Sequence, residues 1–262
     1  MAIQELTPRD LGGIVSETFR IYGRNFLWLV AIVAIVLVIP YILVSVLVVL
    51  LVVPAIMAEG YLPVPPTPAY IWAIIGIGAI LVIVVLVLYI VAYALMEGAL
   101  IHAVSQQSLG QPIGIGRAYR SAWKRTGSLI GAMALATLAI LGMAITIIGI
   151  PAAIYFGVTW SFIWQAALLE GYGPRAALSR SAALVKNNWW RVLGIVFVLS
   201  IIGAGISGIL RTIPVAGAII GAILSTPVAI IGSTLLYYDL RLKKEGYTLE
   251  QMAQEVGGET NF

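Results

Sequence analysis

Six apolar runs, each long enough to cross a ~30 Å hydrocarbon core, constrain this chain more than any other feature. They cover Phe26–Met57, Ala69–Met96, Gly127–Ile150, Pro151–Leu169, Val192–Leu210 and Pro214–Tyr238. Lipid offers the backbone no hydrogen-bonding partner, so runs of this length close their own N–H and C=O groups as helices. Composition agrees. Hydrophobic residues make up 61% of the chain and charged residues 10%, against roughly 25% charged in an average soluble domain. The expected fold is an all-α integral membrane protein, a single membrane domain over residues 1–262. The first run overshoots one bilayer thickness, so it must tilt, kink at Pro40 or project. Met1 to Asn25 is polar, which predicts an uncleaved first span rather than a signal peptide.

Lys and Arg fix an orientation. The arm before span one holds Arg9, Arg20 and Arg24. The segment after span two holds Arg117, Arg120, Lys124 and Arg125. The segment after span four holds Arg175, Arg180, Lys186 and Arg191, and the tail, 239–262, holds Arg241, Lys243 and Lys244. Only Arg211 falls on the other side, a division of 14 to 1. By the positive-inside rule the basic side is cytoplasmic and both termini lie there. The alternation works only with an even number of spans, which supports six. On the outer side the proline-rich Glu59–Pro68 segment reads as a stiff extended loop.

The segments leading into spans one, three and five resemble one another. PRDLGGIVSETFRIYGRNF begins at Pro8, PIGIGRAYRSAWKRTGSLI at Pro112 and PRAALSRSAALVKNNWWRV at Pro174. Each opens on a proline suited to a first helical turn. Each carries an apolar-basic doublet at the same offset: Phe19-Arg20, Trp123-Lys124 and Val185-Lys186. Apolar residues recur at helical spacing, as Leu11, Val15, Phe19 and Tyr22, then Ile115, Tyr119, Ala122 and Trp123, then Leu178, Ala182, Val185 and Trp189. Basic amphipathic helices of this kind lie in the headgroup plane. The predicted unit is one interfacial helix (8–22, 112–125 and 174–187) followed by a two-span hairpin, repeated three times. The tail carries a Thr-x-x-Gln capping box at Thr248 and Gln251, which predicts a fourth such helix.

Candidate functional residues gather where the even spans meet the basic side. Glu97, Glu170 and Asp239 occupy similar settings (LMEG, LLEG and YYD). A carboxylate near the C-terminal end of a helix opposes its dipole and is poorly solvated near hydrocarbon. It needs a cation, and the Arg and Lys residues of the basic segments are the expected partners, Arg120, Arg180 and Arg241 foremost. Such pairs either pin the basic helices to the bundle or form an anionic site at a cavity mouth. His102, five residues after Glu97, is a candidate relay partner for it; the plainer reading is a hydrogen-bonded surface residue. Gly127 with Gly131, Ala204 with Gly208, and Gly217 with Gly221 are spaced for close helix packing. Pro40 and Pro227 are candidate helix breaks.

Cysteine is absent and His102 is the only histidine, so no metal cluster and no cofactor are expected. The metalloprotease, nucleophile-elbow and phosphate-loop patterns are missing as well. Expected partners are membrane lipids, anionic headgroups on the cytoplasmic side in particular, and a possible membrane protein. No nucleic-acid partner is expected.

Three strings carry a family resemblance: LTPRDLGGIVSETFRIYGRNF, LLEGYGPRAALSRSAALVKNNWWRVLGIV and TPVAIIGSTLLYYDLRLKKEGYTLEQM. Together they resemble the membrane-domain family found ahead of some bacterial glycerophosphoryl diester phosphodiesterases and also standing alone. The resemblance implies a six-span protein of a bacterial or archaeal cytoplasmic membrane. It does not imply hydrolysis, because the metal-binding catalytic domain has no counterpart here. The expectation is a non-enzymatic protein that organises lipid or a partner. The alternative is a small transporter or channel using the cytoplasmic-side carboxylates.

Overall fold

A computed structural model describes residues 9–61, 68–213 and 216–257. Among the described residues the chain is all-helical, in ten helices: α1 (Leu11–Arg24), α2 (Phe26–Tyr61), α3 (Pro68–Ser108), α4 (Ile115–Ala144), α5 (Gly149–Thr159), α6 (Ile163–Leu169), α7 (Pro174–Val185), α8 (Trp189–Leu210), α9 (Gly217–Glu245) and α10 (Leu249–Gly257). Six stretches are long and apolar enough to cross a membrane: within α2, α3, α4, α5–α6, α8 and α9. The chain therefore reads as a multi-pass membrane protein.

Helix limits depart from expectation in instructive ways. Pro8 lies outside the described residues, and α1 starts instead behind Asp10, whose carboxylate caps the Gly13 N–H at 2.8 Å. Pro112 to Gly114 is not helical, and the segment 112–125 does not form a helix of its own. From Ile115 it runs unbroken through the third span as the 30-residue α4. Only Thr126 separates the two stretches, and the glycine that follows it costs a helix about 1 kcal/mol, too little to end it. The second span does not stop at Met96 but continues to Ser108, so Glu97 and His102 lie inside α3 rather than at its end. Glu59 to Tyr61 is helical, not loop, and 62–67 lies outside the described residues, as does Pro214. Pro40 and Pro227 sit within continuous helices.

Span four is interrupted where no proline demands it. Trp160 to Phe162 separates α5 from α6, freeing backbone groups in a buried setting. Ser181 of α7 satisfies them: its hydroxyl donates to Thr159 C=O at 2.8 Å and accepts the Phe162 N–H at 3.1 Å. A hydroxyl can do both at once.

The amphipathic faces also differ. In α1 the buried stripe is Ile14, Thr18 and Ile21, while Leu11 and Phe19 are exposed. The helix lies alongside α9. Arg9, just before it, bonds to Asp239, and the Tyr22 hydroxyl reaches the Leu224 carbonyl at 3.0 Å. Those α9 residues are 15 apart, about 22 Å along a helix, so α1 runs antiparallel to α9. In the first part of α4 the buried positions are Ala118, Ser121 and Ala122, with Trp123 exposed.

Close approaches fall on only some of the expected small residues. A side chain on Gly131 would strike Pro174, and one on Gly221 would meet the Ser207 backbone, so α4 touches α7 and α8 touches α9 there. Gly217 faces the Leu210 carbonyl across the α8–α9 turn. Gly127 and Gly208 face open space, so spacing alone misplaced them. A close α3–α4 approach falls instead on Gly98, whose added Cβ would lie 2.8 Å from Ala122 Cβ. Overpacking of this kind costs about 1–3 kcal/mol. Gly98→Val should therefore lower the thermal midpoint of the detergent-solubilised protein, whereas Gly208→Ala should leave it unchanged or raise it slightly. Thermal unfolding followed by circular dichroism checks both.

Candidate functional site

Five consecutive residues of α9, Tyr237 to Arg241, connect most of the helices at one end of the bundle. All five are buried. A helix turns 100° per residue, so neighbouring side chains face different elements. Tyr237 donates its hydroxyl to Glu170, which caps the C-terminus of α6. Tyr238 shares a 2.7 Å hydrogen bond with Ser105 of α3. Asp239 accepts the Arg9 N–H at 2.6 Å and forms ion pairs with Arg191 (2.7 Å) and Lys243 (3.2 Å). Leu240 is fully buried. Arg241 makes a two-pronged contact with Glu255 of α10, at 2.8 and 2.9 Å.

Two charge nodes result. The first joins Asp239, Arg191, Lys243 and the Arg9 backbone. The Arg9 carbonyl accepts from Arg191 at 2.6 Å, so both backbone polar atoms of Arg9 are used. This node ties the start of α1 to α8 and α9. The second holds three carboxylates and two guanidinium groups. Arg180 of α7 bonds Glu170 through Nε at 2.8 and 2.9 Å, and its terminal nitrogens bond Glu245. Arg241 lies 3.9 Å from Glu170 and 3.4 Å from Glu245 as well as gripping Glu255. The Tyr247 ring lies under the Arg241 guanidinium at 3.7 Å, and its hydroxyl donates to Glu255 at 2.6 Å. Burial pushes the Tyr247 phenol well above its usual range, which keeps it a donor.

The anticipated pairs are realised in part. Glu170 does bind Arg180. Asp239 binds Arg191 and Lys243 rather than Arg241, because residues two apart on a helix face different directions. Arg120 is exposed, and no ion pair joins it to Glu97 among the described residues. Glu97 accepts the Tyr93 hydroxyl at 3.0 Å within α3. His102 is buried, not a surface residue. The dipole argument fails for Glu97, since α3 continues eleven residues beyond it to Ser108.

Glu245, Glu255, Tyr237 and Tyr247 are not foreseen by the sequence pattern, whereas Arg191 belongs to the basic set expected to answer these acids. One signal was available. The capping box forms as expected, with Thr248 N–H bonding Gln251 at 3.0 Å and Gln251 N–H bonding Thr248 at 3.3 Å. It starts α10, which buries Met252 and Val256 and so aims Glu255 inward. Among the described residues no group of three His, Asp or Glu side chains is arranged to hold a metal ion. The carboxylates of both nodes pair with cations carried by other elements, so this arrangement fastens helices to one another.

Removing one member of a buried ion pair costs about 3–5 kcal/mol. Arg241→Ala should strip α10 of its anchor, and limited proteolysis should then cleave after Arg180 and Lys244 faster than in the parent. Arg120→Ala, at an exposed side chain, should leave the cleavage pattern unchanged. Comparison with protein-family models, with curated proteins and with solved structures finds no match for this chain.

Proposed function

We propose that the chain is a non-enzymatic component of the cytoplasmic membrane that engages anionic phospholipid headgroups at its basic face. One observation carries the reading. Each odd span presents an exposed tryptophan near its basic-side end: Trp28 (53% exposed), Trp123 (66%) and Trp190 (79%). Each has an exposed cation three or four residues before it: Arg24, Arg120 and Lys186. Tryptophan favours the bilayer boundary, and a cation one helical turn toward water reaches the phosphate layer. Three such pairs, one in each segment of the apparent repeat, support a face addressed to headgroups. Leu11 and Phe19 of α1, exposed rather than buried, extend that surface.

The interior acids support the same reading. Glu170 and Asp239 are paired within the fold, while Arg24, Arg117, Arg120 and Lys186 are exposed. Among the described residues one surface cleft is apolar, lined by Pro151, Ile154, Tyr155, Trp189 and Trp190, which suits an acyl chain.

Tryptophan fluorescence tests the proposal. In proteoliposomes, brominated phosphatidylglycerol should quench more strongly than brominated phosphatidylcholine of the same chains. The preference should fall in high salt, as screening shortens the reach of surface charge, and in an Arg24→Gln, Arg120→Gln, Lys186→Gln triple variant. Equal quenching by the two lipids would refute the proposal.

A further inference from the structure

The corner between α7 and α8 combines an apolar groove with clustered cations. The groove, about 480 Å³, is lined by Pro151, Ile154, Tyr155, Trp189 and Trp190. That volume lies within the range of small-molecule sites. Its wall is built rather than incidental. The Tyr155 and Trp189 rings stack at 5.7 Å with 15° between planes, and Trp189 Nε1 donates to the Tyr155 carbonyl at 3.2 Å. Trp190 stands edge-on to Trp189 at 4.8 Å.

The chain just before the groove is polar and basic. Lys186 ends α7, and Asn187 adopts a left-handed conformation (φ 67°) that turns the chain into α8. Lys186 is three residues before Trp189, so their Cα atoms are at most about 11 Å apart. Lys244 of α9 reaches the same corner: its ammonium donates to the carbonyls of Lys186 and Ala183, the latter at 2.9 Å. Two exposed lysines thus flank one turn. The acids nearby are committed elsewhere, Glu245 to Arg180 and Arg241, and Asp239 to Arg191 and Lys243.

We infer that this corner is a discrete binding site for one anionic phospholipid, with an acyl chain in the aromatic groove and the phosphate on Lys186 and Lys244. The inference rests on the lipid-engaging reading above and narrows it to one site. Charge complementarity selects the occupant. An apolar groove opening beside two ammonium groups matches a molecule that is apolar along its length and anionic at one end. A zwitterionic lipid supplies its own cation and gains less from the two lysines.

Native mass spectrometry of the full chain, released from micelles doped with either phosphatidylglycerol or phosphatidylcholine, reads the number of lipids retained. One phosphatidylglycerol should survive activation that strips the rest. Lys186→Gln with Lys244→Gln should lower its retention by about thirtyfold, the effect of losing two surface cations. Ile154→Trp, at an exposed groove residue, should block the chain site and lower retention with both lysines intact. Arg175→Gln, at an exposed cation eleven residues before Lys186, should leave the retained lipid in place. If that control variant reduces retention as much as the lysine pair, the discrete site is wrong and a diffuse basic face remains. If phosphatidylcholine is retained equally, the headgroup assignment falls and the broader reading falls with it. Protection of the corner by inorganic phosphate alone would overturn the lipid assignment. All the substituted side chains are exposed or half-exposed, and circular dichroism confirms that each variant is folded.

Discussion

The constraint on which the rest depends is that a charge at the edge of hydrocarbon must be answered inside the protein. Asp239 and Arg241 sit two residues apart on a helix otherwise apolar enough to span a membrane. Each points to a different side of α9 and each needs partners. Asp239 finds them at the start of α1 and the mouth of α8; Arg241 finds them in α10 and beside α6 and α7. Tyr237 and Tyr238 extend the reach to α6 and α3. Electrostatic necessity at one pentapeptide thus gathers seven helices at one end. Buried ion pairs add little net stability over apolar packing. Their value here is geometric, because leaving any one partner out of place strands a charge.

Legibility from sequence follows the range of each interaction. The six spans are legible because hydropathy over twenty residues is a local property. The α10 capping box is legible for the same reason, since Thr248 and Gln251 satisfy each other's backbone without outside help. The faces of α1 and α4 are not. Two apolar stripes run along α1, and periodicity cannot say whether Ile14 and Ile21 or Leu11 and Phe19 meet α9. The break in span four is invisible locally because the compensating hydroxyl, Ser181, lies about twenty residues downstream. Glycine spacing failed similarly: Gly208 and Gly98 look alike in sequence, and only the position of Ala122 distinguishes them.

The site shows the same division. That Glu170 and Asp239 need cations is legible, since it follows from chemistry at a helix end near lipid. Which cation answers is not. Arg180 reaches Glu170 because α7 folds back after Gly171, a left-handed residue (φ 72°) that turns the chain. Gly171 is also packed against the Arg125 guanidinium, leaving no room for a side chain. Glu97 breaks the apparent equivalence of the three acids. Its helix does not end there, so it takes a neighbouring tyrosine on α3 as donor.

Packing is unevenly distributed, and the solvent explains why. In α2 the buried positions are Leu29, Ile32, Val33 and Val36, and from Ile39 the described side chains are mostly exposed. In α3 the order is reversed, exposed from Ile80 to Leu88 and buried from Ala94. In α8 burial stops at Leu199. In water such surfaces would drive collapse or aggregation. In lipid an apolar side chain is equally well solvated by a neighbouring helix or by an acyl chain, so no hydrophobic force draws the helices together there. Association must come from elsewhere, and the polar end supplies it through hydrogen bonds and ion pairs that lipid cannot replace. The half of the bundle held by those contacts is therefore the half with a dense core. The other half can present apolar surface to acyl chains without cost.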